Sequence, residues 1–462
     1  MENSNDLHQR PSSIRTDGKR IKIRIADVKG IFQRWKKLVF LLLIFIYAAL
    51  PWIKIGENPL VFIDVTHRKF FLFGLTFNAQ DFYLVFFVVT GIAFSLFYLA
   101  AVAGRLWCGW ACPHTVFLEG VFRRIERWIE GPRSAQLALE KAPWNIKKLF
   151  LFSVKHFLFF LCALVITHIF LSYFISLPIL WNYMQQSPYE HWPVFVWMMV
   201  MTGIIYLHFA WFREQLCLIV CPYGRIQSAL ADDDTLVIGY DYLRGEPRGK
   251  KNDPARGACI NCHRCVDVCP TGIDIREGMQ LECVGCANCI DACNEIMIKI
   301  GQAPGLIRYD SLNGLLKKTR RIIRPRLLLY NFFFFLGVAV FSFFVTMRKP
   351  FEANTLRALG QAPYVLTSEG NIRNQFIVHI ANKGGEENNF FLSVEAPQEV
   401  NVLLPITSIS LKSLEDKQVP FFVEMPAKHF SHEFSFTVKV KENKQQRELR
   451  SEVLFLGPSA QR

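Results

Sequence analysis

Five uncharged apolar stretches restrict the possible folds of this chain more strongly than any other feature of its sequence. They cover residues 38–53, 82–103, 157 to about 177, 193–212 and 327–347. Each has roughly 16 to 22 residues, which is about the length that a helix needs to cross a bilayer. Lysines on both sides of the short first stretch can reach the membrane interface. The sequence therefore predicts a multi-domain membrane protein with a five-helix α-helical transmembrane bundle.

Lysine and arginine are distributed unevenly between the segments that flank these stretches. Residues 1–37 contain ten, 104–148 eight and 213–326 seventeen, whereas 54–81 contain three and 178–192 none. By the positive-inside rule, the N-terminus and the two basic connections are predicted in the cytoplasm. The C-terminal region is then predicted in the periplasm. Attraction to lipid accounts for the net charge of +14 without nucleic acid as a partner.

Eight of the thirteen cysteines form two closely spaced runs. Residues 259–270 read CINCHRCVDVCP and residues 283–294 read CVGCANCIDACN, so both runs have the C-x2-C-x2-C-x3-C spacing of bacterial ferredoxins. In that motif the last cysteine of each run binds the cluster of the other run. The predicted [4Fe–4S] ligands are Cys259, Cys262, Cys265 and Cys293 for cluster 1, and Cys283, Cys286, Cys289 and Cys269 for cluster 2. Structural zinc is the alternative, but zinc does not require the third and fourth cysteines at these offsets.

Two further cysteine pairs follow the second and fourth apolar stretches. RLWCGWACPHT contains Cys108 and Cys112, and REQLCLIVCPYGR contains Cys217 and Cys221. Residues four apart share a helix face, so each pair is predicted to form a two-thiolate clamp, bent by the following proline. Two facing clamps would supply four sulfurs, a donor set that suits Cu(I), zinc or an iron–sulfur cluster. The alternative is apolar packing, which is the interpretation adopted for Cys162.

Arginine and histidine side chains near the clamps are predicted to affect the reactivity of the thiols and the binding of metals or protons. Three arginines are predicted to lower the pKa of the thiols, namely Arg105, Arg213 and Arg225. Three histidines near the predicted inner boundary could bind copper or haem or carry protons, namely His114, His156 and His208. A hydrogen-bonded residue of the bundle is the default interpretation for each histidine.

The pattern changes from residue 371 onwards, where short alternating stretches are separated by turns. This region predicts an all-β immunoglobulin-like domain. The predicted organisation has five parts. They are a basic cytoplasmic tail (1–34), a membrane domain with four spans and both C-x3-C-P motifs (35–230), a cytoplasmic two-cluster ferredoxin-type domain (231–326), the fifth span (327–347) and a periplasmic immunoglobulin-like domain (348–462).

Taken together, these motifs resemble the CcoG/FixG/RdxA proteins, which are accessory proteins of cbb-type cytochrome c oxidases. The resemblance rests on RLWCGWACPHT, REQLCLIVCPYGRIQSAL, YDYLRGEPR and DIREGMQLECVGCANCIDAC, and it covers nearly the whole chain. It implies a multi-pass protein of the bacterial inner membrane, in which the eight ferredoxin cysteines bind clusters. It also implies that the four clamp cysteines, Cys108, Cys112, Cys217 and Cys221, form a candidate copper or redox site.

The function implied by the resemblance is electron transfer that reduces Cu(II) to Cu(I) for assembly of the oxidase, so the chain is a candidate cupric reductase. The implied partners are the oxidase or its copper-delivery factors, together with an unknown cytoplasmic electron donor. Two other functions stay open. One is a quinol-linked membrane ferredoxin that passes electrons to a redox partner, and the other is a non-catalytic assembly factor. Copper and a third cluster both stay open at the clamps.

Overall fold

The computed structural model describes residues 22–55, 58–66, 68–77, 81–321, 323–347, 351–358, 362–384, 387–412, 415–443 and 446–458. Within these residues, five helices are long and apolar enough to cross a membrane. The helical segments are Ile31–Trp52, Tyr83–Ala103, Ile146–Leu171, Trp192–Phe212 and Pro325–Thr346. The predicted multi-pass membrane protein is confirmed.

Two of these helices begin earlier than the uncharged stretches indicate. The first begins at Ile31 and the third at Ile146. Lys36 and Lys155 interrupt the uncharged pattern, yet both side chains are buried and hydrogen-bonded. A lysine with hydrogen-bond acceptors inside the protein can continue an apolar helix because its ammonium group keeps polar partners there.

The chain forms two compact units, residues 1–341 and 342–462. The helices of the chain are α1 (Ile31–Ala49), α2 (Phe82–Ala103), α3 (Leu106–Trp110), α4 (Pro113–Phe117), α5 (Arg123–Glu130), α6 (Arg133–Lys141), α7 (Ile146–Leu171), α8 (Leu177–Gln185), α9 (Trp192–Leu207), α10 (Pro222–Leu230), α11 (Tyr242–Gly245), α12 (Arg264–Asp267), α13 (Asn288–Lys299), α14 (Leu312–Leu315) and α15 (Pro325–Thr346). Three π-helical turns, Leu118–Phe122, His208–Phe212 and Leu216–Val220, interrupt this pattern. Such turns are frequent at functional sites.

The second and fourth spans end in nearly the same backbone conformation. Gly104 ends the second span with φ 53° and ψ −125°, and Arg213 ends the fourth with φ 48° and ψ −124°. Glycine adopts this left-handed φ easily, whereas arginine does not. Two hydrogen bonds from the Arg213 guanidinium to the Glu126 carboxylate, at 3.0 and 2.6 Å, hold the arginine in place. The two halves of the membrane domain therefore share a structural turn as well as a sequence motif.

The segment between the first two spans contains two small antiparallel sheets. They are β1 (Lys54–Ile55) with β2 (Asn58–Pro59), and β3 (Val61–Asp64), β4 (Lys69–Leu72) and β5 (Leu75–Phe77) in that order. In the cysteine-rich region, β6 (Val237–Tyr240) pairs with β7 (Ile307–Asp310). This pairing brings the two ends of the region together, with Ile290 and Met297 of α13 buried in its core.

The basic composition of residues 1–34 predicts a loose tail without fixed contacts, whereas residues 22–30 form an ordered segment. The Arg24 guanidinium lies 3.0 Å from the Glu130 carboxylate and 3.8 Å from that of Glu126. The Ala26 N–H donates to the Asp267 carbonyl at 2.9 Å. Partners on α5 and on the cysteine-rich region hold this segment, and for residues 22–30 the loose-tail prediction was wrong.

The C-terminal unit is a two-sheet β domain. Its strands are β8 (Phe351–Arg357), β9 (Val365–Leu366), β10 (Asn371–Asn382), β11 (Asn388–Glu395), β12 (Asn401–Leu403), β13 (Ser408–Leu411), β14 (Asp416–Pro426), β15 (Phe434–Glu442) and β16 (Glu448–Phe455). One sheet has the order β12-β14-β10-β8, with β9 beside β10, and the other has the order β13-β11-β15-β16. Buried phenylalanines fill the core between the sheets. The predicted all-β immunoglobulin-like domain is confirmed.

Candidate functional site

The two cysteines of each clamp lie on different backbone elements. Cys108 is inside α3, whereas Cys112 has extended backbone (φ −60°, ψ 125°) immediately before α4. Cys217 lies on a π-helical turn, and Cys221 repeats the extended conformation (φ −65°, ψ 111°) before α10. The prediction of one shared helix face was wrong, because proline disfavours the helical conformation in the residue before it. Each proline instead begins the next helix, which produces the predicted bend.

Helix α10, which follows the second clamp, contacts the first clamp directly. The Cys108 thiol donates to the Gln227 side-chain oxygen at 3.5 Å. The Gln227 amide donates to the Gly104 carbonyl, and the Arg105 guanidinium donates to the Gly224 carbonyl. These bonds join segments more than 100 positions apart in the sequence. They bring the four predicted cysteines into one region, called here the four-cysteine site.

The Cys108 and Cys217 thiols are half-buried, and both are protonated when no metal is bound. Burial and then the neighbouring thiols raise the pKa of each to about 12, and Arg105 only partly opposes them. The predicted lowering by arginines was therefore wrong for these thiols, because desolvation outweighs the nearby charge. Arg213 pairs with Glu126 instead, and the side chain of Arg225 lies outside the described residues. A bound metal would supply the positive charge that buried thiolates require.

The cysteines of the two ferredoxin runs approach one another across the runs. The pKa of Cys293 is raised to about 12 by burial and then by the charges of Cys259 and Cys262. The pKa of Cys283 is likewise raised to about 12 by burial, with contributions from Cys269 and Cys286. These neighbours belong to the two predicted ligand sets. The assignment of each set to one cluster stays a prediction.

The surroundings of these cysteines suit iron–sulfur clusters. Backbone N–H groups of Gly285, Asn288 and Ile307 donate to the sulfurs of Cys283, Cys286 and Cys293 respectively. Hydrogen bonds to cluster ligands of this kind are one of the means by which proteins set reduction potentials. Among the described residues, no group of three or more His, Cys, Asp or Glu side chains is arranged to hold a single metal ion. The fit therefore rests on the all-sulfur donor set and its N–H donors.

The two predicted clusters differ in exposure. Cys262 of the cluster 1 set is exposed to solvent. In the cluster 2 set, Cys286 is buried and the other three cysteines are half-buried. Solvent exposure of a cluster affects its reduction potential and its access to partners. Cys259 and Cys265 of the cluster 1 set are buried, so Cys262 is the one exposed position among the eight predicted ligands.

The first clamp packs directly against the backbone of residues 283–286. This segment contains two predicted cluster 2 ligands and is called here the cluster 2 loop. A Cβ atom on Gly109 would lie 2.7 Å from the carbonyl oxygens of Val284 and Gly285 and 2.8 Å from the Cα of Cys286. A Cβ atom on Gly285, which has φ +66°, would lie 2.9 Å from the Arg105 carbonyl oxygen. Only glycine at both positions permits this approach.

Two hydrogen bonds and a small cavity extend the interface between the clamps and the cluster 2 loop. The Tyr309 hydroxyl donates to the Gly285 carbonyl at 2.7 Å and accepts from the Trp110 indole N–H at 3.0 Å. From the second clamp, Cys217 lines a cavity of about 20 Å³ that is also lined by Cys286. Both clamps therefore adjoin the cluster 2 set.

The three predicted histidines have different surroundings. His114 Nδ1 lies 2.8 Å from His208 Nε2, so these two imidazoles share a hydrogen bond beside the first clamp. Burial, together with His208 and Arg123, lowers the pKa of His114 to about 3, which keeps it neutral near pH 7. His156 bonds instead to the Tyr206 hydroxyl at 2.8 Å. Cys162 packs in an apolar cluster, in agreement with the packing interpretation.

Several residues at this interface are not identifiable from sequence patterns. Gln227 and Tyr309 are ordinary polar residues of a short helix and a strand, and Lys36 is one of many basic residues. The one available signal is Gly109, a glycine between two tryptophans in a motif that also holds two cysteines. Such a glycine indicates a close backbone approach.

Three family models match different parts of the chain. One described as a 4Fe-4S binding domain matches residues 81–132, which include the first clamp. One described as a 4Fe-4S dicluster domain matches residues 212–312, which include the second clamp and both ferredoxin runs. The third, described as an IG-like fold at the C-terminal of FixG, putative oxidoreductase, matches residues 341–458. These matches support bound iron–sulfur clusters and hence a role in electron transfer.

Three curated proteins are similar over most of their length. Protein RdxA from Cereibacter sphaeroides is 35% identical over 80% of this chain and 81% of its own. Protein RdxB from the same organism is 34% identical over 84% and 85% respectively. Nitrogen fixation protein FixG from Rhizobium meliloti is 32% identical over 82% and 80%. The crystal structure of a FixG-related protein from Vibrio parahaemolyticus matches 24% of this chain and 97% of its own, with 14% identity and a TM-score of 0.22.

Proposed function

This chain belongs to the FixG/RdxA family of membrane iron–sulfur proteins, and from that premise we propose that it reduces Cu(II) to Cu(I) at the four-cysteine site. The two ferredoxin-type sets hold the clusters, which supply one-electron oxidation and reduction when bound. Each Cu(II) ion accepts one electron and leaves as Cu(I), which soft thiolates prefer. The copper ion is the substrate in this scheme.

The observation that carries the proposal is the backbone contact between Gly109 and the Val284–Cys286 segment. Through this contact the first clamp packs against the loop that contains Cys283 and Cys286, two of the predicted cluster 2 ligands. Gly109 and Cys286 are both buried at this contact. Electron transfer between these two sites requires no movement of the helices.

The arrangement also favours an order in which the electron passes through the sites. The exposed Cys262 makes cluster 1 the entry point for an electron donor, and the contact with both clamps makes cluster 2 the exit point. We place the N-terminus and both clusters in the cytoplasm, on the basis of the basic connections. The Cu(I) product would be used in assembly of a cbb-type oxidase, as the family resemblance implies.

A third cluster at the four-cysteine site is the second candidate. The 4Fe-4S binding family model covers Cys108 and Cys112, and the dicluster model begins before Cys217 and Cys221. In this case the four cysteines hold a cofactor that passes the electron on, and copper binds elsewhere or is not the acceptor. The iron content of the protein separates the two candidates.

The test compares wild-type protein with a variant in which all four clamp cysteines are serine. The reduced protein receives Cu(II), and a Cu(I)-specific chelator measures the product. We expect the variant to keep the iron of clusters 1 and 2 and to lose Cu(I) formation.

A third cluster would instead show as a loss of about four irons per chain. Cys162→Ser, in the apolar cluster of the membrane domain, is the matched control and should leave both iron and copper reduction unchanged. Equal rates of Cu(I) formation in wild type and the four-serine variant would refute reduction at this site.

A further inference from the structure

Lys36 is a buried cation beside the cluster 2 loop. It lies near the start of α1 and is only 4% exposed. Its ammonium group donates to the Asn288 side-chain oxygen at 2.7 Å and to the Cys286 carbonyl at 3.4 Å. The first membrane helix therefore places a positive charge next to a predicted cluster 2 ligand.

The acceptors of Lys36 are neutral. Among the described residues, no Asp or Glu forms a salt bridge with it. The nearest relevant carboxylate is that of Asp291, which accepts from the backbone N–H groups of Gln33 at 2.8 Å and Phe32 at 3.4 Å. The Asp291 carboxylate therefore accepts hydrogen bonds from the backbone at the start of α1. Lys36 has no directly paired anion among the described residues.

The cluster 1 set has a buried cation of a different kind. Arg276 is 3% exposed and donates to Asn261 and His263, which flank Cys262. Its guanidinium is paired with the Asp274 carboxylate at 2.8 and 2.5 Å. The Arg276 charge near cluster 1 is therefore directly paired with a carboxylate, whereas Lys36 has no directly paired carboxylate among the described residues.

We propose that Lys36 raises the reduction potential of cluster 2 above that of cluster 1, so that electrons accumulate beside the four-cysteine site. The proposal deepens the proposed function and rests on cluster 2 being held by the predicted set. Reduction adds negative charge to a cluster, and a nearby cation stabilises that charge strongly in a water-excluded interior. The electron gained by one cluster is the electron lost by the other, so the step needs no additional reactant.

The test is an equilibrium redox titration of the purified protein, followed by electron paramagnetic resonance of the reduced clusters. In Lys36→Gln and Lys36→Met, we expect the ratio of reduced to oxidised cluster 2 at a fixed potential to fall roughly tenfold. Cluster 1 should titrate as in wild type. Lys36→Arg keeps the charge and should titrate close to wild type.

Lys37→Gln is the matched control, because Lys37 is the next residue of the same helix and its side chain is exposed. It should shift neither cluster. Unchanged potentials in both neutral Lys36 variants, with iron content intact, would overturn the proposal. Loss of iron or of the resonance signals in Lys36→Gln, Lys36→Met and Lys36→Arg alike would also overturn it, since Lys36 would then hold the interface together rather than tune it.

The titration requires neither copper nor an intact four-cysteine site. If the cluster 2 potential shifts in Lys36→Gln but the wild-type protein does not reduce Cu(II), the proposed function is refuted and the tuning role of Lys36 is retained. The opposite result, normal copper reduction without any shift, would refute the tuning role alone.

Discussion

Replacing Gly109 with alanine will slow the proposed electron transfer from the ferredoxin-type clusters to the four-cysteine site several-fold, because the rate of electron transfer falls steeply as the distance between the two sites increases. The added Cβ atom would lie 2.7 to 2.8 Å from backbone atoms of Val284, Gly285 and Cys286. Backbone atoms cannot rotate away as the end of a flexible side chain can, so α3 and the cluster loop must separate. The measurement is the rate at which Cu(II) oxidises the reduced clusters after rapid mixing.

Gly91→Ala is the matched control for this variant. Gly91 also lies in a helix, α2, but a Cβ atom there would meet nothing within 4 Å. Alanine in a helix is intrinsically more favourable than glycine by about 0.5–1 kcal/mol, so the control should be neutral or slightly stabilising. An unchanged transfer rate in Gly109→Ala, with full iron content, would show that electrons do not use this contact.

Replacing Glu126 with alanine will lower the free energy of unfolding of the membrane unit by about 3–5 kcal/mol. Glu126 and Arg213 are 5% and 4% exposed and are joined by two hydrogen bonds. Removal of the Glu126 carboxylate leaves the buried Arg213 guanidinium without its anion. The same carboxylate also helps to hold Arg213 in its left-handed backbone conformation. Chemical unfolding in detergent micelles measures the change.

Two comparisons separate this effect from a general effect of losing a charge. The double variant Glu126→Leu/Arg213→Met replaces the pair by apolar side chains and should recover most of the loss. Glu295→Ala removes one member of an exposed i,i+4 pair with Lys299 and should cost only about 0.3–0.5 kcal/mol. A loss in Glu126→Ala no larger than in Glu295→Ala would contradict a structural role for the buried pair.

The same carboxylate makes stability depend on pH in a defined range. Burial alone would raise the pKa of Glu126, but Arg213, its hydrogen bonds, Arg24 and Lys155 outweigh burial and lower it from 4.5 to about 2. A lowered pKa in the folded state means that the stabilisation is present above pH 4.5 and is lost as the pH falls towards 2. Wild-type stability should decrease over this range, and Glu126→Gln should remove that part of the decrease.

Some features of the protein follow from short stretches of sequence. The five spans follow from segment length and the absence of charge, and the ferredoxin-type region follows from the spacing of eight cysteines. The bend after each clamp follows from a single proline. Where local reasoning failed, at the clamp cysteines and at the start of α1 and α7, a neighbouring residue or a distant partner changed the outcome. Lys36 and Lys155 continue apolar helices only because Asn288 and Glu130 accept from their ammonium groups.

The sequence by itself determined which elements this protein contains, because helix length, cysteine spacing and strand alternation are local properties. Only the tertiary structure decided which elements meet. Cys108 and Gln227 are 119 positions apart, Glu126 and Arg213 are 87 apart, and Lys36 and Cys286 are 250 apart. No periodicity connects such pairs, and their contacts depend on packing between separate elements. The predicted cluster 2 ligands lie beside the four-cysteine site and beside the buried Lys36 only because of that packing.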